Sequence, residues 1–566
     1  MQPDLNTNIA IHLVQRAMER PYAPAVIFPH GRDKSGQVSY SHYTYRQLDD
    51  QSNRIAYALH RQGIQCGQRT VLMVSPGLDF FAITFALFKL GATPILIDPG
   101  MGIKNIKTCL EESQPDIFIG IPKAHLARKL LGWGKKSLQM CFTTGAGWLP
   151  DTISLPQLVK RYPANKEFHC YQPEDGDVEN NGDTAAILFT SGSTGVPKGA
   201  IYTHRNFNAQ IQALQSLYNI APGEIDLCTF PLFALFAPAL GMTAVIPDMD
   251  ATKPAQVNPE RIFEAIDDFG ITNMFGSPAL LRRVADQGIR QQRTLPTLKR
   301  IISAGAPVPA TVLEQFSGML NADTPIYTPY GATEALPVCS ISSQMILNHT
   351  RALTDSGQGI CVGFPVDNLE VNIIAIDDNP IECWSDDLCT ADGKIGEICV
   401  KGDQVTLGYF NRPDSTLLAK IMTADGGYYH RMGDVGYRDS EGKIWFCGRK
   451  THRVQTGDET LFTISCEAVF NTHPQVYRTA LVGINSNIDS NNNGKQRAVL
   501  CVELLHNVDA AGKQQIIADL KKIQQRFEHT KAIECFLFHP AFPVDIRHNA
   551  KIFREKLALW ASKKLS

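Results

Sequence analysis

The stretch Thr190–Ala200, TSGSTGVPKGA, gathers hydroxyls and glycines into one short loop and brings a lysine to its end. The hydroxyls of Thr190, Ser191, Ser193 and Thr194 and the N–H groups of Gly192 and Gly195 can surround phosphate oxygens, because glycine permits close approach and unusual φ. Lys198 adds a positive charge on a flexible stem. The Walker spacing G-x-x-x-x-G-K-[ST] is not met. Lys198 follows Gly195 by three residues, and Gly199 stands where a magnesium-binding hydroxyl would be. Taken alone, the stretch could be no more than a polar surface loop. Further polar groups follow in SAGAPVP (303–309), YGATE (330–334), GDVGYRD (433–439), GR (448–449) and NAK (549–551). Each of these has a plain alternative as a turn carboxylate, a surface ion pair or an exposed lysine.

The elements that must position these groups read as α/β. YRQLDDQSNRIAYALHRQGI has apolar residues at helical spacing, and RTVLMVSPG reads as a buried strand closed by a turn. LDFFAITFALFKLGA is a helix ending near Gly91, and TPILIDPG is the next strand. This alternation argues for a parallel sheet covered by helices, and it recurs around AAILFT, NMFGSPALLRRVA and LKRIISAGAPVP. From about residue 360 the texture becomes short β-rich runs separated by Gly, Asp and Asn, and after Arg449 comes a compact unit with two strands and an amphipathic helix. The domain boundary is placed near 448–453.

Bulk properties bound the function. With 566 residues, 44% hydrophobic and 19% charged, the chain has the make-up of a multidomain globular enzyme. A net charge of −2 gives no field to draw nucleic acid or an anionic membrane. The fourteen cysteines are scattered, which favours reduced thiols over a disulfide framework. The first twenty residues lack the basic start and apolar core of a signal peptide. The uncharged run Leu227–Pro247 is broken by Pro231, Pro238 and Gly241, so a core segment is expected rather than a transmembrane anchor. A cytoplasmic location is expected.

Taken in order, the motifs resemble the adenylate-forming superfamily of acyl-CoA synthetases, luciferases and adenylation domains, over nearly the whole chain. The resemblance implies a large N-terminal AMP-binding domain (1–448, with a β-rich subdomain at about 360–448) and a small mobile α+β lid (449–566). It implies ATP and Mg²⁺ as partners in chemistry. Thr190, Ser191, Gly192, Ser193, Thr194, Gly195 and Lys198 would hold the β- and γ-phosphates, and Ala304, Gly305 and Ala306 the adenine. Tyr330, Gly331 and Ala332 would lead to Thr333 at the α-phosphate, with Glu334 on magnesium and Thr190 as a second candidate ligand. Asp434 and Arg449 would bind ribose. Lys551, carried in by the lid, would bridge carboxylate and α-phosphate. FPLFALFAPALG resembles the acyl-pocket segment, giving Phe233, Ala234 and Phe236, although a plain core explains them nearly as well.

The departures concern the second half-reaction. Thr451 stands at the usual hinge Asp or Lys, the loop before Glu467 is longer, Ala234 replaces a common histidine, and Ala550 replaces a glycine. Thiol delivery is therefore in question, and CoA is not expected. The tail FPVDIRHNAKIFREKLALWA, with GRKTHRV and YGATEALPV, looks like the olefin-biosynthesis β-lactone synthetases within the superfamily. That implies a fatty-acid-derived substrate, a 2-alkyl-3-hydroxy acid whose own hydroxyl closes the ring, and partner enzymes that make the acid and decarboxylate the lactone. His204, His430 and His452 are candidates for handling the hydroxyl proton. A long-chain acyl-CoA ligase and a non-catalytic nucleotide-binding scaffold are the alternatives. Chain length, stereochemistry and oligomeric state are not legible in the sequence.

Overall fold

The computed structural model describes residues 4–147, 149–163, 171–172, 184–190, 197–457, 459–485, 495–544 and 552–565. The phosphate-loop residues Ser191, Gly192, Ser193, Thr194 and Gly195, the side chain of Thr190, and Lys551 lie outside them.

Among the described residues one sheet has fourteen strands and a second has seven. The seven-stranded sheet is parallel from Ile153–Ser154 through Arg69–Met73 and Thr93–Ile97 to Thr184–Thr190. Only its last strand, Lys198–Thr203, is antiparallel, and it pairs Lys198 with Thr190. The loop between them therefore joins two antiparallel strands. The helix His204–Tyr218 begins only after the second strand, where Thr203 and Asn206 cap it reciprocally. This is the structural reason the Walker spacing fails: no helix N-terminus follows the loop to receive a phosphate.

The larger sheet has a parallel block running from Pro24–Arg32 through Thr243–Val245, Ile225–Cys228, Asn273–Phe275 and Arg300–Ile302 to Ile326–Ala332. It continues without a break into antiparallel strands, Ala335–Ser342, Ile360–Pro365, Ile444–Arg449, Tyr428–Arg438, Gly396–Lys401 and Glu370–Ile374. The helix Leu78–Leu90 is apolar on nearly every face because it lies between the two sheets, in a core shared by Val26, Leu72, Ile117 and Ala244. Its one buried cation, Lys89, reaches Asp49 at 2.6 Å and the side chains of Ser52 and Asn53 at 2.7 Å. Gly91 ends this helix at φ 68°, where a Cβ would stand 2.6 Å from the Tyr171 ring. The uncharged run 227–247 folds as short buried elements, and no described helix is long and apolar enough to cross a membrane.

The C-terminal region has its own three-stranded sheet, Val476–Asn485, Gln496–Leu504 and Cys535–Phe538, with Ile516 and Leu520 of the helix Ala510–Arg526 packed in its core. It rests against the larger body. A Cβ at Gly357 would fall 2.3 Å from His529 Nε2, and Arg453 pairs with Asp378. Every described cysteine is a free thiol.

Candidate active site

YGATE forms a hairpin tip. Ala332 pairs with Ala335 across the two strands, so Thr333 and Glu334 are the two turn residues and project beyond the sheet. A Cβ on Gly331 would meet the Ala335 carbonyl at 2.6 Å, which is why glycine stands there. The turn is fixed from outside the motif. The Tyr202 hydroxyl donates to the Thr333 carbonyl, the Thr406 N–H donates to the Glu334 carbonyl at 2.9 Å, and the Tyr409 hydroxyl donates to Glu334 Oε1 at 2.7 Å. Tyr409 also offers its ring to Lys198, whose Nζ lies 4.8 Å from the centroid. Behind them the buried Lys420 donates to the Thr406 carbonyl, and burial pushes its pKa down to about 7, with Glu334 pulling the other way.

Asp434 and Arg449 face each other on neighbouring antiparallel strands, with Oδ1 and Nη1 2.9 Å apart. The Tyr330 hydroxyl donates to Asp434 Oδ2 at 2.7 Å. Burial pushes the Asp434 carboxyl upward while Arg449 and Tyr330 oppose the shift, and Asp434 holds Arg449 more firmly protonated. With a permanent cation at that distance the pair is ionised. Asp434 Oδ1 is buried, and the ion-pair contact gives it no hydrogen bond. A buried carboxylate oxygen in need of a donor fits a ribose hydroxyl.

These groups meet in one cavity of about 770 Å³. Lys198, Ala304, Gly305, Gly331, Ala332, Thr333, Glu334 and Arg449 line it, and so do Phe233 and Phe236 at its apolar end. Tyr330 and Asp434 are not among the lining residues, and Asp434 adjoins the cavity through Arg449. Ala306 is half-buried, and Ala234 is buried away from the cavity. Of the three candidate histidines, only His430 lines it. Its ring is buried with Nδ1 free of hydrogen bonds, and burial, then Lys420 and Lys198, hold it neutral. His204 instead takes the Ile9 N–H on Nδ1 at 3.2 Å, and His452 pairs with Glu555 at 3.3 Å. No group of three or more metal-ligating side chains gathers among the described residues. A single carboxylate, Glu334, suits magnesium, which keeps most of its shell for phosphates and water.

Tyr409, Tyr202 and Lys420 were not singled out by sequence reasoning. Tyr409 lies in TLGYFNRPD; the glycine and proline mark a loop, but nothing in that pattern says what the hydroxyl meets. The residues on either side of 545–551 belong to the C-terminal unit: Val544 and Ile552 bridge, the Phe553 N–H donates to the Pro543 carbonyl at 2.8 Å, and Arg554 forks onto Glu467 at 2.5 and 3.0 Å.

The chain is similar to known proteins over most of its length. Residues 13–410 match the family described as AMP-binding enzyme. The chain is 48% identical to the olefin beta-lactone synthetase of Xanthomonas campestris pv. campestris, covering 98% of this chain and 97% of that protein. It is 49% identical to the olefin beta-lactone synthetase of Stenotrophomonas maltophilia, over 99% and 98% of the two chains. Among solved structures, the amide bond synthetase McbA of Marinactinospora thermotolerans superposes with a TM-score of 0.77 at 19% identity, over 98% and 99% of the chains.

Proposed function

This chain belongs to the AMP-binding enzyme family, and on that premise we propose that it activates a 2-alkyl-3-hydroxy fatty acid with ATP and closes it to a β-lactone. One observation carries the reading: a single cavity runs from Lys198, Thr333, Glu334 and Arg449 to the phenyl rings of Phe233 and Phe236. It offers charge at one end and hydrocarbon at the other, as joining a fatty carboxylate to a nucleotide demands. The near-full-length similarity to two olefin beta-lactone synthetases supports a β-lactone as the product.

In the first step the substrate carboxylate attacks the α-phosphorus of ATP. A new O–P bond forms, the bond to the β-phosphate breaks, and pyrophosphate leaves. The reacting groups are anionic, so catalysis is chiefly electrostatic. Lys198 and the hydroxyl loop grip the outer phosphates, Thr333 faces the α-phosphate, and Asp434 and Arg449 hold the ribose. Glu334, steadied by Tyr409, is the side chain that would hold magnesium, which when bound would supply charge neutralisation to the reacting anions. Lys551 arrives with the C-terminal lid and bridges the two anions as they meet.

In the second step the 3-hydroxyl of the same molecule attacks the acyl carbon. The acyl–phosphate C–O bond breaks, AMP leaves, the hydroxyl proton passes to solvent and the four-membered ring closes. The nucleophile is tethered, so orientation replaces a second binding event. His430 lines the cavity with a neutral ring, and burial, then Lys420 and Lys198, oppose its taking a proton, so it is assigned no proton transfer.

Purified protein with ATP, Mg²⁺ and a synthetic 2-alkyl-3-hydroxy acid, without CoA, is expected to release pyrophosphate and give lactone by NMR. Strict dependence on CoA with a thioester product rejects the lactone step. No pyrophosphate with any acyl substrate rejects the whole reading.

A further inference from the structure

A second chamber of about 80 Å³ adjoins the main cavity. Phe233, Phe236, Phe275 and Leu336, together with Gln210, Ala304 and Pro329, line both spaces and separate them. The partition is made of side chains: Phe233 stands edge-on to Phe275 with ring centroids 4.8 Å apart. Beyond it the walls of the chamber are Leu214, Ile220, Ala237, Leu240, Met242 and Ile302. The main cavity sends its own apolar arm to Phe85, Phe88, Leu96, Ile211 and Leu235, none of which lines the second chamber.

We propose that the acyl pocket is forked, and that the second chamber takes one of the two hydrocarbon chains of a branched acid while the main arm takes the other. The proposal rests on the reading that the substrate is a 2-alkyl-3-hydroxy acid. Such a molecule carries one chain on C2 and another on C3, and a rigid pocket must part them at the carbons nearest the carboxylate. Phe233 and Phe236 lie where the arms divide, and the polar end of the cavity is continuous with that point. About 10–15 Å³ of such volume suffices for one water-sized group. The chamber, at about 80 Å³, is therefore large enough for a short run of chain carbons. Its far wall carries Asp226 and Asn273, hydrogen-bonded to each other in the core. Hydrocarbon pressed against that buried pair gains no hydrogen bond and strips none usefully, so the pair acts as a stop that limits one chain.

The test compares two acids of equal carbon count, one with a long C2 chain and methyl at C3, the other reversed, in both pyrophosphate release and lactone yield. Ala237→Leu places three extra carbons in the second chamber. It is expected to lower the kcat/KM ratio for one of the two acids against the other by about tenfold or more, since one methylene in a hydrophobic pocket already discriminates by that order. Equal losses for both acids, or no loss for either, overturn the fork. If Ala237→Leu does not fold, Met242→Ala enlarges the same chamber and is expected to lengthen the optimum of the same chain only. Lengthening of the other chain, or of neither, overturns the proposal. Wild-type protein with the short 2-methyl-3-hydroxybutyrate acid separates the two readings. It needs neither arm, so absence of lactone there counts against the lactone step and leaves the fork to be judged on pyrophosphate release.

Discussion

The two ends of the cavity are built on opposite plans. At the charged end two side chains are pinned by directed polar contacts: Glu334 by Tyr409 from a loop, and Asp434 by Tyr330 and by Arg449 of the neighbouring strand. At the apolar end Phe233 and Phe236 are held by ring contacts alone, Phe233 against Phe230 at 5.0 Å and Phe236 against Phe207 at 6.2 Å between centroids. The first plan fixes direction, as transfer at phosphorus requires. The second fixes volume and tolerates some movement, as a hydrocarbon site allows. Damage at the charged end should therefore appear in kcat, and damage at the apolar end in KM and in the choice of acid.

The largest effects belong to the groups that meet developing charge. Lys551→Ala and Glu334→Gln are each expected to slow pyrophosphate release by about 10²–10³ while ATP binding stays measurable by calorimetry. An unchanged rate in either variant removes that residue from the mechanism. Next comes Tyr409→Phe, which deletes the hydroxyl that holds Glu334 and leaves the ring beside Lys198. A hydrogen bond to a charged group contributes about 1.5–3 kcal/mol, so a loss of about 10–100-fold in kcat is expected, with more magnesium needed for half-maximal rate. A change in the KM for the acid alone would place Tyr409 in acyl binding instead.

Phe236→Ala sharpens the contrast from the other side. The ring lines the cavity and the partition, so the expected result is a KM for the acid raised about tenfold or more, with kcat nearly kept. A kcat loss as large as that of Tyr409→Phe would erase the distinction between the two ends.

The same contrast explains what was legible in the sequence. The working groups of the charged end lie in short motifs, because a turn such as Thr333–Glu334 needs its neighbours Gly331 and Ala335 at fixed spacing. The parallel strands were legible as well, since RTVLM and TPILI are buried on both faces and read as unbroken apolar runs. Tyr409, Tyr202 and Lys420 were not legible. Their roles come from pairings across the fold, Ala200 with Tyr409 and Lys420 with His430, that leave no local pattern. The apolar end was legible only in part: FPLFALF pointed to Phe233 and Phe236, yet the same run placed Ala234 in a pocket that it does not line. In a short helix that is apolar throughout, composition cannot say which face meets a cavity and which meets the core.

The charged end also carries a stability cost that can be read through pH. Lys420 is buried behind Glu334, faces His430 across the strand pair and lies over the Tyr428 ring at 4.4 Å, and its pKa falls to about 7 in the folded chain. In the unfolded chain a lysine titrates near about 10.4. Between those values the unfolded chain binds a proton that the native state does not, so this group makes stability rise with pH, by up to about 1.4 kcal/mol per unit. Below about pH 7 both states are protonated and the full penalty is present. Lys420→Met removes the titration and also the hydrogen bond to the Thr406 carbonyl, whose loss is the same at every pH. Urea unfolding of both proteins at three pH values between about 7 and 9 is therefore expected to show wild type gaining on the variant as pH rises. Parallel profiles would mean that Lys420 keeps its proton throughout, and that Glu334 is backed by a permanent cation.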